Sequence, residues 1–290
     1  MRGVTSADLD DRPGLLDRIE GYYDAVPRSG ARAEDFGPLT LFVREGQGWP
    51  FYARPTRGPG HGAPSAADVD RVRARQRELG IPESFEWVAE TAPALRAAVE
   101  ESGLVVHEHP LMVLAPDAQL PDAAGPSGPP GPPGGISVRI LGPEDPALAH
   151  ALAVPHLAFA EPGTGIGTAG AEDLARAVRA GADDGSVDRM AARIRAGLTA
   201  VAVAEENATA LCAGQHQPVG PVSEIVGVGT LPSARRRGLG RVVTAALLAD
   251  ARARGISTVF LSAGDEDVAR LYAGLGFRRV ATALIAEPAA

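Results

Sequence analysis

At 290 residues the chain is long for a single compact core and comfortable for two, and a hydrophobic content of 45% excludes a disordered polymer. A formal net charge of −8 argues against general nucleic-acid binding, which needs a dominant basic surface. All 28 basic residues are arginine, so a P-loop lysine, a pyridoxal phosphate Schiff base and a kinase strand lysine are excluded together.

No apolar run reaches the roughly 18 residues of a membrane span, and Met1-Arg2-Gly3-Val4-Thr5-Ser6-Ala7-Asp8 has no apolar signal core. No membrane association is expected, and the reading is a soluble, cytoplasmic protein. The single cysteine, Cys212, cannot form an intrachain disulfide and gives no basis for structural zinc, so no metal is expected.

Along the chain, the apolar face Leu15, Leu16, Ile19, Tyr22 and Tyr23 predicts a first helix. Residues 39–43 and 49–53 predict a hairpin across Gly46-Gln47-Gly48. Ser65 with Asp68 reads as a capping box opening a helix. Residues 85–88 form a strand, followed by a helix ending at Gly103-Leu104 and a strand over 105–114. A Pro/Gly-rich stretch at 115–135, carrying Pro126, Pro129, Pro130, Pro132 and Pro133, reads as an unpacked linker. It divides the chain into 1–114 and 136–290.

The second part opens with a short strand at 137–141 and helical residues 145–160 and 171–195, joined by a glycine-rich loop. Strands follow at 198–204, 208–215 and 223–231, then a helix over 238–254 stopped by Gly255. A strand at 258–262, a helix at 266–275 and a strand at 277–285 close the chain. The pattern predicts an α/β (α+β) mixed sheet flanked by helices. Phe85-Glu86-Trp87-Val88 and Thr258-Val259-Phe260-Leu261 stand 173 residues apart, and the helix and strand that follow each match at the same offset. The order helix, strand, strand, helix, strand, helix, strand recurs in both halves and predicts a degenerate internal duplication.

Chemistry concentrates in Glu224-Ile225-Val226-Gly227-Val228-Gly229-Thr230-Leu231-Pro232-Ser233-Ala234-Arg235-Arg236-Arg237-Gly238-Leu239-Gly240-Arg241. A strand ends, arginines follow, and a helix starts on glycines. The first turn of a helix has unpaired N–H groups and partial positive charge, and glycine lets a pyrophosphate approach them. Arginine adds charge-assisted contacts to phosphate.

Arg235-Arg236-Arg237-Gly238-Leu239-Gly240 resembles the R/Q-x-x-G-x-G/A signature of the GNAT superfamily of N-acetyltransferases. Leu271-Tyr272-Ala273-Gly274-Leu275-Gly276-Phe277 resembles that family's L-Y-x-x-x-G-F segment, in the right order and at fitting distance. The resemblance covers roughly residues 137–287 and implies a GNAT-like acyl-CoA N-acyltransferase fold with acetyl-CoA as co-substrate. It further implies that backbone groups of Val228, Gly229 and Thr230 line the pantetheine arm. Arg235, Arg236, Arg237, Gly238, Leu239, Gly240 and Arg241 would hold the pyrophosphate. Tyr272 would be the acid at the departing thiolate, and Glu224 the general base for a primary amine of a small molecule or peptide. The rival reading is a non-catalytic acyl-CoA-binding sensor or interaction module.

Several features depart from the family pattern or compete with it. Asp265 stands seven residues before the tyrosine, where asparagine is common, and only one strand follows Phe277. The N-terminal half is therefore expected to complete or cover a sheet edge. Arg57-Gly58-Pro59-Gly60-His61-Gly62 also spells the cofactor signature, but a capping box at Ser65 puts its glycines ahead of the helix. Val99 aligns with Tyr272, so the N-terminal half is expected to be catalytically dead. Gly165-Ile166-Gly167-Thr168-Ala169-Gly170 spells a dinucleotide pattern after a helix rather than a strand, and is expected to be a mobile loop beside the acceptor. His107-Glu108-His109 reads as surface or packing residues.

Overall fold

A computed structural model describes residues 12–48, 50–118 and 135–289, which form two compact units. One unit holds the described residues up to Met112, with Ser262–Asp265 and the stretch from Arg279. The other holds Val113–Leu261 and Glu266–Arg278. Most of the expected linker, Trp49 and the N-terminal segment lie outside the described residues. Among those described, no helix is long and apolar enough to cross a membrane.

The N-terminal half runs α1 (Arg12–Arg28), β1 (Ala31–Asp35), β2 (Leu39–Arg44), β3 (Ala53–Pro55), α2 (Ala66–Glu78), β4 (Phe85–Val88), α3 (Pro93–Glu101) and β5 (Val105–Leu114). Strand β1 has no apolar alternation to announce it. It forms by antiparallel pairing along β2, whose residues Leu39 to Val43 are all buried. Strand β3 lies later than the expected 49–53, because Ala53 pairs with Leu41 on one side and Phe85 on the other. That second demand is tertiary and leaves no mark on a hairpin pattern. The capping box at α2 forms as its spacing predicts: Asp68 N–H donates to Ser65 Oγ at 3.3 Å and Ser65 N–H donates to the Asp68 carboxylate at 2.8 Å. Gly58, Gly60 and Gly62 consequently lie ahead of the helix.

The C-terminal half runs β6 (Ile136–Ile140), α4 (Leu148–Ala160), α5 (Ala171–Ala180), α6 (Ser186–Arg195), β7 (Ala200–Glu206), β8 (Thr209–Val219), β9 (Val222–Thr230), a 3-10 turn (Pro232–Ala234), α7 (Leu239–Ala253), β10 (Thr258–Ser262), α8 (Glu266–Ala273) and β11 (Phe277–Glu287). The single helix expected over 171–195 is two, broken after Gly181 and restarted behind Gly185 at φ +69°. From α6 onward the order is one helix, three strands, helix, strand, helix, strand. The same order runs from α1 to β5.

In the C-terminal unit the strand order is β10-β9-β8-β7-β6, antiparallel throughout except for the parallel pair β9–β10. In the N-terminal unit it is β1-β2-β3-β4-β11-β5. There Ala283 to Ala286 of β11 pair antiparallel with Val88 to Phe85. The one strand after Phe277 thus mostly serves the N-terminal unit, whose core joins Leu284 and Ala286 to Trp87, Phe85, Leu95 and Val72.

The C-terminal unit also carries a buried polar relay. The fully buried His216 ring bonds Ser223 Oγ through Nδ1 and the Asp250 carboxylate through Nε2, each at 2.8 Å. This ties β8 and β9 to α7. Burial lowers the His216 pKa, partly offset by Asp250. A folded-state pKa below the unfolded value means that the folded unit resists protonation. The stability is therefore present above about pH 6.5 and is lost as pH falls through the folded-state value. The thermal midpoint should fall on acidification below about pH 6.5, and His216→Gln should have a shallower acid limb. Equal slopes for the two proteins would remove His216 as the cause.

Candidate active site

The site is built where β9 leaves β10. Their parallel ladder spans only Val222 to Glu224 against Thr258 to Phe260. Immediately beyond, β9 bulges against β8. Val226 pairs with Gln215 and Gly229 with Ala213, so Gly227 and Val228 together face the single residue Gly214. A bulge bends a strand and increases its local twist. Gly227 makes the bend at φ +62°, where a side chain is strained. Gly214 is small for its own reason, since a Cβ there would lie 2.8 Å from Val228 Cγ2.

Gly229 was expected to line the pantetheine arm through its backbone. Its empty side faces α4, where an added Cβ would lie 2.8 Å from Pro155 Cα and 2.9 Å from Ala158 Cβ. The glycine lets helix and strand touch.

After the 3-10 turn the chain reaches Arg236 at φ +65° and Gly238 at φ +74°, the latter capping α7. Gly238 O accepts from Arg241 N at 3.1 Å and Val242 N at 3.3 Å. The earlier N–H groups of the turn precede the helical hydrogen-bonding register and suit an anion. The side chains of the arginines divide. Arg235 donates to Ala158 O at 2.9 Å, Glu161 O at 2.5 Å and Gly165 O at 3.2 Å. Arg237 forms a two-pronged ion pair with Glu206, at 2.6 and 3.2 Å. Neither guanidinium faces an empty cradle, unlike the expectation for all three. Arg236 is exposed, with no ion pair among the described residues, and Arg241 has its Nε buried without a partner.

Tyr272, on α8, is 8% exposed and stacks edge-on with Phe277 at 5.8 Å between ring centroids. Burial pushes its hydroxyl pKa up; nearby Cys212 adds to the rise, and a hydrogen bond with Thr244 opposes it. Thr244 Oγ1 in turn donates to Gly240 O at 2.8 Å, and Thr230 Oγ1 donates to Cys212 Sγ at 3.2 Å. Burial also pushes the Cys212 thiol up to about 12, so it stays protonated at neutral pH. A Cβ on Gly240 would reach both Thr230 Oγ1 and Leu271 Cδ1 at 3.9 Å. The end of β9, the start of α7 and helix α8 therefore meet around Tyr272.

Glu224 is half-buried at the last rung shared with β10 and pairs with Gln217 of β8. Paired residues share a face, and Gln217, Gln215 and Ala213 alternate onto the face of Gly229. Glu224 thus belongs to the α4 face, whereas Val228, opposite Gly214, lies with Leu247 on the α7 face. The two expected catalytic residues therefore lie on opposite faces of the sheet, Tyr272 with Thr244 on the α7 face. Sequence reasoning missed Thr244 and the side-chain use of Thr230. The spacing of Thr244 four residues after Gly240 was the only local signal for the former.

The N-terminal unit has a cavity of about 690 Å³ between α1, the segment after β3 and the segment before α3. Arg57 of the second signature lines it, but is held by Asp17 at 2.9 Å. Arg12 is paired with Glu90, and the carboxylate of Glu20 with Arg54 and Thr91. The cavity's charges therefore satisfy one another.

Residues 200–285 match the family described as FR47-like protein. A segment of 62 residues is 45% identical to a mycothiol acetyltransferase from Thermobispora bispora, spanning 21% of each chain. The chain thus matches about a fifth of that relative's length. Among solved structures, a GCN5-related N-acetyltransferase from Kribbella flavida superposes with a TM-score of 0.64 at 20% identity, over 95% of this chain and 96% of that one. A tandem GNAT protein from the clavulanic acid biosynthesis pathway gives 0.51 at 16% identity, over 86% and 77%. A GCN5-related N-acetyltransferase-like protein from Streptococcus suis gives 0.53 at 12% identity, over 95% and 98%. The chain has the fold of these GCN5-related N-acetyltransferases, the GNAT fold, and its residues 200–285 match the FR47-like family.

Proposed function

We propose that the C-terminal unit transfers an acetyl group from acetyl-CoA directly to a primary amine. The observation that carries this reading is the parting of β9 from β10 just beyond Glu224, bordered by a glycine-capped helix start and a buried tyrosine. The edge of β9 at Val228, Gly229 and Thr230 offers backbone groups to a pantetheine amide, extending the sheet with a ligand. The N–H groups of Gly238, Leu239 and Gly240 would hold the pyrophosphate, with the guanidinium groups of Arg236 and Arg241 supplying charge.

In the reaction the amine nitrogen bonds to the thioester carbonyl carbon and the carbon–sulfur bond breaks. Glu224 takes the amine proton, directly or through water, and Tyr272 delivers its proton to the leaving sulfur. The raised pKa of Tyr272 keeps that proton in place until a thiolate develops. The acceptor is a small-molecule or peptide amine. The short similarity to a mycothiol acetyltransferase supports acyl transfer and leaves the acceptor's identity to a screen. The N-terminal half, about 1–114, is a degenerate copy without catalysis. Its self-paired cavity charges and the buried Val99 at the tyrosine position support this.

Calorimetry with acetyl-CoA should give one site per chain, lost in an Arg236→Ala/Gly238→Asp double variant. Two sites would restore function to the N-terminal half, and no binding would overturn the reading. Thiol release from acetyl-CoA across a panel of primary amines should then separate enzyme from sensor: binding without release means a sensor. With an acceptor in hand, Tyr272→Phe should lower turnover by about 10- to 100-fold while leaving CoA affinity nearly intact. Unchanged turnover would remove it from the mechanism. Glu224→Gln should flatten the acid side of the pH–rate profile. An unaltered profile would point to another base.

A further inference from the structure

We propose that Arg235, at the head of the phosphate-loop signature, is a positioning residue that fixes the loop between α4 and α5, and with it the acceptor side of the site. The word acceptor rests on the acetyl-transfer reading; the mechanical claim does not.

The guanidinium of Arg235 donates to three carbonyls: Ala158 in the last turn of α4, Glu161 just after it, and Gly165 further along the loop. Carbonyls in the last turn of a helix have no partner within it and lie at the negative end of the macrodipole. A guanidinium is a suitable cap, because its rigid fork reaches several acceptors at once. With these donors committed to carbonyls, Arg235 is poorly placed to grip phosphate oxygens as well.

The same two segments are joined by their backbones. Gly167 N–H donates to Pro232 O at 3.0 Å, and Ser233 N–H donates to Ala169 O at 3.1 Å. Glu161 completes the clamp from inside the loop, accepting from Thr168 N–H at 2.8 Å and Thr168 Oγ1 at 3.3 Å. Its carboxyl is held below the usual range, first by the Thr168 N–H. A Cβ on Gly167 would overlap this carboxylate and come within 2.8 Å of Pro232 Cβ, so the contact admits only glycine. The loop expected to move freely is therefore fastened to the turn that precedes α7. Phe159 and Ile166, 62% and 70% exposed, flank the carbonyls that Arg235 holds. Whatever orders residues 232–240 also orders the segment bearing these two apolar side chains.

The test is hydrogen–deuterium exchange over residues 159–170, with and without CoA, beside calorimetry with CoA. The proteins are wild type, Arg235→Ala, Arg235→Lys and Arg236→Ala. The lysine variant keeps the charge and loses the fork, which covers the case in which the alanine variant folds poorly. Both Arg235 variants should exchange loop amides about tenfold faster while their CoA affinity changes less than about threefold. Arg236→Ala should do the reverse, weakening CoA about tenfold with the loop protection unchanged. CoA should further protect the loop in wild type but not in the Arg235 variants. Loss of CoA affinity in both Arg235 variants with unchanged loop exchange would overturn the proposal and return Arg235 to the phosphate. Wild-type protein that fails to bind CoA would overturn the acetyl-transfer reading instead, while the loop exchange without CoA would still decide the role of Arg235.

Discussion

Everything in the C-terminal unit follows from β9 being unable to stay paired on both sides along its full length. It keeps β8 as a neighbour to its end, but only by placing two residues, Gly227 and Val228, against one. Its ladder with β10 ends after three rungs, at Glu224, and the bulge beyond adds twist. A parallel pair that parts leaves strand-edge N–H and C=O groups facing an opening, where they must find some partner. In this protein the opening is bordered by the glycine-capped start of α7 and by α8 with Tyr272. Two glycines make the geometry possible for different reasons: Gly227 takes the left-handed bend, and Gly214 leaves room for the bulge opposite. Gly229 then lets α4 lie directly on the strand.

Charge is distributed so that the turn before α7 keeps little positive charge uncommitted. Arg237 is paired with Glu206, and Arg235 is occupied by carbonyls. Arg236 and Arg241 carry the remainder. A chain with net charge −8 and a small basic site attracts one compact anion more readily than an extended polyanion. The buried residues behind the site are kept neutral: Cys212 and Tyr272 are both pushed up by burial and retain their protons. Burial thus selects the state in which Tyr272 can donate.

The N-terminal unit has the same order of elements with different chemical content. Its capping box at Ser65 begins α2 four residues after His61, so the glycines of the second signature occupy a loop instead of a helix start. Arg57 closes on Asp17, and Arg12 on Glu90, where cations facing an open cavity would have been needed to attract an anion. Similar backbone topology and dissimilar site chemistry are compatible, because packing tolerates any apolar residue of suitable size whereas recognition depends on particular groups. The closing strand β11 illustrates the packing side: Leu284 and Ala286 complete a core made mainly by residues 39–104.

The sequence by itself determined the local features. Apolar periodicity marked most helices and strands, the Ser65–Asp68 spacing marked the start of α2, and the run from Gly227 to Arg241 marked the glycine-capped turn before α7. These are legible because the determinants lie within a few residues of one another. Tertiary structure decided what depended on distant partners. Strand β1 exists through β2, and β3 is placed by Phe85. The helix expected over 171–195 breaks at Gly181 and Gly185, glycines that helical patterning tolerates but does not require to end a helix. His216, Ser223 and Asp250 meet only once β8, β9 and α7 are packed. The same holds for the arginines: identity and spacing drew Arg235, Arg236 and Arg237 alike, because composition counts charges. Only the fold shows which guanidinium has a carbonyl or carboxylate within reach, since hydrogen bonds act over about 3 Å and sequence separation says nothing about that distance.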